Sequence, residues 1–429
     1  MIDLKLYRAD KQKYIDGANN KRVSVDRDAV DRLDDAIRAL KLECDELAAR
    51  RNQLSAEVQQ LQKSGADFSA QVTEVKTIKE TMTAKESELA DLQTQFDRIV
   101  ATIPNPAFPE VIVGKDDSEN QVAGYVGEKK EFSFTPKPHR EIMEAKGWLD
   151  AERAVKMSGS RFVMVKGKAA QLEFALIQRA IEKLTNKGFT FVIVPQLVRE
   201  QAMYTTGFLP NDASNLYRVN PKSTTEQSDR EEDDLWLIGT SEVPLVSQHI
   251  DEVFDADQLP IRYCGFSSCY RREAGTYGKD AKGLVRVHQF EKVEMVSFVK
   301  PEDSVKEHEL IHSIEIELFT ELGLHFQRIN ICTGDLGAPA AKKRDLEAWF
   351  PGIGAYKEVT STSNTTDFQT RRGNIKFKDG DRREFVHSLN GTALALGRAL
   401  ACLIETYQTE QGDVIIPEVL RKWMGVEKI

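Results

Sequence analysis

Between Tyr263 and Glu294 the chain reads YCGFSSCYRREAGTYGKDAKGLVRVHQFEKVE. Short strand-like segments flank a Gly-rich turn (Gly275, Gly278, Gly283), with Arg271, Arg272 and Glu273 at one end and Phe290 and Glu294 at the other. These residue types at this spacing can grip a purine nucleotide. Arginine pairs with phosphate, a carboxylate accepts from the exocyclic amine, and an aromatic ring stacks on the base. Charge alone favours a plainer alternative, a hairpin carrying a surface ion pair.

Three other motif matches carry less. His308-Glu309-Leu310-Ile311-His312 fits the zinc-protease pattern HExxH, with both histidines on one helix face. No third ligand stands out, and a partly exposed amphipathic helix is the expectation. Lys156-Met157-Ser158-Gly159-Ser160 is similar to the KMSKS loop of class I synthetases, but no HIGH-like element accompanies it, and it runs into a predicted strand Arg161–Val165. Gly352-Ile353-Gly354 lacks the third glycine and the strand–helix setting of a dinucleotide fingerprint. With no Walker A sequence either, ATP would have to be held by neither a P-loop nor a Rossmann crossover.

The elements that must position these residues fall into two parts. Val30, Leu33, Ile37, Leu40, Cys44, Leu47, Arg51, Leu54, Val58 and Leu61 alternate steps of three and four, and Val75, Ile78, Met82, Lys85, Leu89, Leu92, Phe96 and Ile99 do the same. That period keeps one stripe of each helix facing a partner. Lys63–Asp67 breaks the run, with Gly65 suited to a C-cap and Asp67 to an N-cap. So short a turn forces an antiparallel hairpin over about residues 28–100, with arms of roughly 50 Å. A dimerising coiled coil is the alternative, but two stripes folded on each other leave little apolar face for another chain. Thr102–Pro109, with three prolines, ends the second helix, which puts a boundary at 104/105. Beyond it, short β-rich segments alternate with helices, an α+β pattern.

Composition bounds the rest. Of 429 residues 41% are apolar and 30% charged, as in ordinary globular proteins. The net charge of −9 and pI near 5.5 argue against nucleic-acid binding unless local patches supply it. On the hairpin, Arg50 and Arg51 on one arm and Lys76 and Lys79 on the other fall near the same height. Five cysteines without a CxxC pair point to reduced thiols in a cytosolic protein. Charged residues through the first twenty positions, and no long apolar run, predict neither a secretory leader nor a membrane span. Pro221–Asp234, with six acidic and two basic residues, is expected to be a disordered surface insertion.

The block opened above resembles motif 2 of class II aminoacyl-tRNA synthetases, in the form FRxEAGxxGxDxxGLxRxHQFxKVE found in seryl-tRNA synthetases, with Tyr270 for the usual Phe. Other segments are similar in order: Leu237–Glu242 to the TxE serine-binding segment, Cys332–Gly337 and Glu358–Asn364 to two further family segments, and Leu389–Arg398 to motif 3. Gly188–Pro195 resembles the looser motif 1, and the hairpin the family's tRNA-binding arm.

The resemblance implies an antiparallel-sheet class II catalytic domain (105–429) behind a tRNA-binding domain (1–104) with a coiled-coil arm. It implies that serine is joined to ATP and passed to the 3′ end of tRNA(Ser), with tRNA(Sec) left open as a second acceptor. Thr240, Ser241, Glu242, Glu294 and Thr392 would meet the serine ammonium and hydroxyl, and Arg271 its carboxylate. Thr392 stands where many members have Ser, and Ala393, with its added methyl, where they often have Gly. Arg271, Arg272 and Glu273 would meet the α-phosphate and adenine, Phe290 would stack, Val359 and Thr360 would flank, and Arg398 would meet the γ-phosphate. Glu358 and Ser361 would hold Mg²⁺ with the ATP. Arg271, Glu273 and Arg398 would be catalytic, by positioning and charge stabilisation with no nucleophilic side chain. Motif 1 would form a homodimer, and Arg50, Arg51, Lys76 and Lys79 would touch the tRNA. A ligase acting on a carrier protein, and a non-catalytic coiled-coil relative, are the competing readings.

Overall fold

The computed structural model describes residues 2–219, 234–274 and 283–429. Nearly all of the acidic run Pro221–Asp234, and the Gly275–Gly278 turn, lie outside the described residues. Two compact units are present: residues 2–19 with 23–104, and residues 20–22 with 105–429.

The first unit opens with two short helices, α1 (Leu4–Ala9) and α2 (Lys11–Asn20), which are too brief to show a repeating ladder in sequence. They precede the hairpin helices α3 (Arg27–Ser64) and α4 (Ser69–Val100). Asp26 caps α3 by accepting from the Ala29 N–H at 2.9 Å, and Gly65 ends it at φ 72°, a left-handed turn that glycine enters freely. The expected N-cap of α4 is displaced by one residue. Phe68 occupies the cap, while the Asp67 carboxylate accepts from the Ser69 N–H at 3.0 Å. The stripe is buried at Leu33, Ile37, Leu40, Leu54, Ile78, Met82 and Phe96. Lys85 pairs with Glu43, and Arg50 with Glu74 at 2.9 Å, so ion pairs flank the seam on the two arms.

The second unit is built on eight strands: β1 (Gln121–Val126), β2 (Thr190–Ile193), β3 (Ile261–Tyr270), β4 (Gln289–Val299), β5 (Phe326–Asn330), β6 (Lys342–Phe350), β7 (Ala355–Asn364) and β8 (His387–Ala395). Their order is β1-β5-β6-β7-β8-β4-β3-β2, antiparallel except for the β2–β3 pair at one edge. Helices α5 (His139–Ala145), α6 (Gly167–Asn186), α7 (Ser304–Glu321) and α8 (Leu396–Tyr407) share one apolar core with the sheet, built from residues such as Leu176, Ile314, Val293, Leu346 and Leu403. Each such side chain contributes about 1.5–3 kcal/mol on leaving water. At Gly391 the helix packs straight onto the strand: a Cβ there would sit 2.3 Å from Ile311 Cγ2.

Two of the motif matches are explained by this packing. His308 and His312 do share a face of α7, but that face is buried, at 1% and 5% exposed, rather than partly exposed as expected. His308 Nε2 lies 3.2 Å from the Thr362 carbonyl, and His312 Nδ1 lies 3.4 Å from Glu315. Burial lowers both imidazoles to about 4, so they are neutral core residues tied to the sheet and to their own helix. Lys156–Ser158 ends a helix (Ala151–Ser158), and the strand expected at Arg161–Val165 shrinks to Met164–Val165. Gly159 at φ 92° and Arg161 at φ 62° turn the chain instead. Among the described residues no helix is long and apolar enough to cross a membrane.

Candidate active site

The sheet face turned away from that core floors a cavity of about 700 Å³. Strand alternation decides which side chains reach it, and two β-bulges adjust the count. On β7, Thr360 pairs with Leu346 and Glu358 with Glu347, so Val359 is the extra residue. Glu358 and Ser361, three apart and therefore on opposite faces of a regular strand, both line the cavity as a result. On β8, Thr392 pairs with Glu294 and Leu394 with Val293, which makes Ala393 the extra residue. Its methyl is fully buried in the core and does not line the cavity.

One end of the cavity is lined by carboxylates and amides. Glu242, at the start of a short helix Glu242–Ser247, accepts from Gln369 Nε2 at 2.7 Å and Asn390 Nδ2 at 2.8 Å. Burial, and then the neighbouring Glu294, push its carboxyl up to about 7. Glu294 is 2% exposed, pairs with Lys292 and accepts from the Thr392 hydroxyl at 3.3 Å. Thr240 lines this end, its hydroxyl accepting from the Glu242 N–H at 3.2 Å.

Arg271 stands at the middle, just past the end of β3. Its Nε donates to the Gly239 carbonyl at 3.2 Å, and its guanidinium lies 5.5 Å from the Phe290 ring centre. The backbone N–H of Arg271 donates to His288 O at 2.9 Å, which joins the two legs of the motif 2 hairpin.

The other end is cationic. Arg398 donates from Nε to Val285 O at 3.1 Å and from Nη1 to Glu358 O at 2.9 Å, and lies 3.4 Å from the Glu358 carboxylate. The protein around Glu358 pushes its carboxyl up, but Arg398, Lys343 and Arg271 more than offset this and hold it below the ordinary range. Glu273 lines the same cavity, paired with Arg286.

Most of the residues singled out from sequence are therefore brought together, with four differences. Ser241 is fully buried, with its hydroxyl 2.7 Å from Ser267 Oγ, and does not line the cavity. Arg272 is exposed outside it. Val359 and Thr360 line it although each is only 1% exposed: Val359 joins the core, and Thr360 Oγ1 donates to Glu315 on α7 at 3.1 Å. Asn390, Gln369 and Lys343 were missed. Asn390 sits two residues from Thr392, so alternation alone could have found it. Gln369 is remote in sequence and carries no signal. Lys343 is the middle of the run Lys342-Lys343-Arg344, and only the register, which sets it opposite Ser363, shows that it lines the cavity.

An antiparallel sheet backed by helices, with motif 2 on β3 and β4 and motif 3 on β8 and α8 around one cavity, is the layout of a class II aminoacyl-tRNA synthetase catalytic body. A family model for the tRNA synthetase class II core domain (G, H, P, S and T) matches residues 217–407, and one for the seryl-tRNA synthetase N-terminal domain matches residues 1–107. A serine–tRNA ligase of Campylobacter fetus is 40% identical over 99% of this chain and 100% of its own length, and one of Fervidobacterium nodosum 41% over 100% and 99%. A crystal structure of seryl-tRNA synthetase from Pyrococcus horikoshii complexed with ATP superposes with a TM-score of 0.91 at 36% identity, covering 100% of this chain and 99% of that one. The chain belongs to the seryl-tRNA synthetase family.

Proposed function

We propose that this chain is a serine–tRNA ligase: it joins L-serine to ATP, releasing pyrophosphate, and passes serine from the adenylate to the 3′-terminal ribose of tRNA(Ser). The observation that carries this reading is one cavity with a buried carboxylate pair at one end, cations at the other, and Arg271 between them. Glu242 and Glu294 receive the serine ammonium, and Thr392 and Asn390 its hydroxyl. Arg271 holds the serine carboxylate against the α-phosphate. No nucleophilic side chain is required, because the substrate carboxylate itself attacks. Rate comes from holding the two reactants in line and from fixed positive charge beside the phosphate oxygens. Phe290 supplies the stacking face, and Arg398 the charge beyond the α-phosphate.

A divalent ion fits the same end. Glu358 is anionic, and Ser361 stands beside it. Across on β6, opposite Ser361, Asp345 is paired with Lys343 at 3.3 Å and does not line the cavity, so Glu358 and Ser361 are the oxygen donors there. Carboxylate and hydroxyl oxygens suit Mg²⁺, which takes few protein ligands besides phosphate and water. Bound there, Mg²⁺ would neutralise charge on the triphosphate.

Homodimer formation through the motif 1 segment is supported by strand β2. It is a sheet edge, and Ile193 on it is 79% exposed, an apolar side chain that a second copy would cover. The hairpin is assigned to the tRNA through Arg50, Arg51, Lys76 and Lys79, by contacts to RNA shape and backbone. The cytoplasm is the compartment in which these substrates meet.

Serine-dependent exchange of pyrophosphate into ATP tests the first step, with alanine, threonine, glycine and cysteine alongside. Serine far above the others is expected; no exchange with any of them, from folded protein with Mg²⁺, sinks the proposal. Charging of tRNA(Ser) and tRNA(Sec) transcripts then defines the acceptor.

A further inference from the structure

His139 opens α5, does not line the cavity and is 1% exposed, yet the cavity wall hangs on it. Glu405 on α8, which is fully buried, accepts from the His139 backbone N–H at 2.9 Å, and the same oxygen lies 2.6 Å from His139 Nδ1. Its other oxygen accepts from the N–H groups of Gly352 at 2.8 Å and Ile353 at 3.1 Å. With Nδ1–H directed at a carboxylate, Nε2 is the acceptor, and the Leu284 N–H donates to it at 3.1 Å. The approach is close enough to demand glycine next door: at Gly283, φ 90°, a Cβ would lie 2.3 Å from Nε2.

Leu284 and Val285 line the cavity, and the Val285 carbonyl takes the Arg398 Nε donor. A continuous set of bonds therefore runs from Glu405 through His139 and the Leu284–Val285 backbone to Arg398. We propose that His139, oriented by Glu405, is a positioning residue for the nucleotide end of the cavity. It sets the wall on which Arg398 is aimed and leaves the serine end alone. The proposal rests on the assignment of Arg398 to the ATP phosphates.

The test measures pyrophosphate exchange by the full-length protein at varied ATP and varied serine, together with the melting temperature. His139→Asn keeps a donor for Glu405 but removes the acceptor for Leu284. His139→Gln can place its carbonyl oxygen where Nε2 stood. Expected for His139→Asn is a rise of about tenfold in KM for ATP, with KM for serine within about twofold, and His139→Gln recovering most of the loss. Should His139→Asn not fold, Glu405→Gln, which turns an amide N–H₂ toward one set of donors, gives the same ATP-selective loss. An unchanged KM for ATP overturns the proposal. So does a loss shared by both substrates that follows the melting temperature and is not rescued by glutamine. Arg398→Ala separates the layers. If it leaves KM for ATP unchanged, the nucleotide assignment itself fails; if it raises KM and the His139 variants do not, only the positioning role fails.

Discussion

The two ends of the cavity are made of the same few residue types put to opposite use. At one end two glutamates are buried and bonded to protein amides, a hydroxyl and Lys292 before any ligand arrives. At the other, arginine donors are spent on backbone carbonyls, and the carboxylate of Glu358 is 44% exposed. The first arrangement can discriminate, because a ligand lacking the matching ammonium or hydroxyl leaves buried polar groups unpaired. The second can bind phosphate of any origin tightly, but it tells one phosphate from another only through geometry. On the proposed assignment, selectivity and charge neutralisation are segregated within one pocket, and Arg271 stands where they join.

The sharpest way to break this division is at the join. Arg271→Ala should lower kcat/KM for both serine and ATP by about 10³, as loss of a charge-stabilising donor does. A loss confined to one substrate in pyrophosphate exchange would show that Arg271 belongs to one end only. Next in size, Glu242→Gln should cost about 10² in kcat/KM for serine and leave KM for ATP unchanged. It should also remove a pH limb. The Glu242 carboxyl is raised to about 7 from an unfolded value near 4.5, so in the free enzyme it is protonated below pH 7. The ionised form is the one that attracts an ammonium, so kcat/KM for serine falls as pH drops through 7. Stability runs the other way: the folded chain holds this proton over pH 4.5–7 where the unfolded chain has released it. The group's contribution therefore declines as pH rises through that window.

A smaller change sharpens the serine end itself. Thr392→Val removes the hydroxyl that bonds Glu294 while keeping the shape, and should lower kcat/KM for serine about 10–100-fold, with Thr392→Ser close to the parent. Equal effects of both variants would mean that the methyl matters and the hydroxyl does not.

How far these features could be read from residues alone differs by level. The hairpin was plain because a period of 3.5 persists over ten positions, whereas α1 and α2 span too few turns to repeat. Motif residues on β3, β4 and β8 were placed by type and order. What the pattern could not show were the bulges: nothing in Glu358-Val359-Thr360-Ser361 says that Val359 is the extra residue, although that one insertion brings Glu358 and Ser361 to the same face. Ser241 was misjudged for a related reason. Its neighbours Thr240 and Glu242 line the cavity, and only the packing against Ser267 shows that its own side chain turns inward. The expected exposure failed at His308 and His312, where burial against the sheet, invisible in a five-residue motif, makes both neutral.

The mildest perturbation lies outside the cavity and serves as its control. Lys76 and Lys79 are exposed on α4 with no bond to a neighbouring carboxylate among the hydrogen bonds and ion pairs of the described residues, whereas Arg50 is already tied to Glu74. An exposed ion pair contributes little, so Arg50 could exchange its partner for a phosphate at small cost, but the two lysines offer charge with none to break. Reversing both, as Lys76→Glu with Lys79→Glu, should raise KM for tRNA(Ser) about 5–10-fold in aminoacylation and make that KM rise less steeply with added salt than in the parent, since two salt-screened contacts are gone. Pyrophosphate exchange should be unchanged, because neither end of the cavity has been touched. If exchange falls as well, the substitutions have disturbed the fold; if KM for tRNA(Ser) does not move, the contact lies on other residues of the arm, and Arg50→Ala becomes the variant that decides whether this height of the hairpin meets RNA at all.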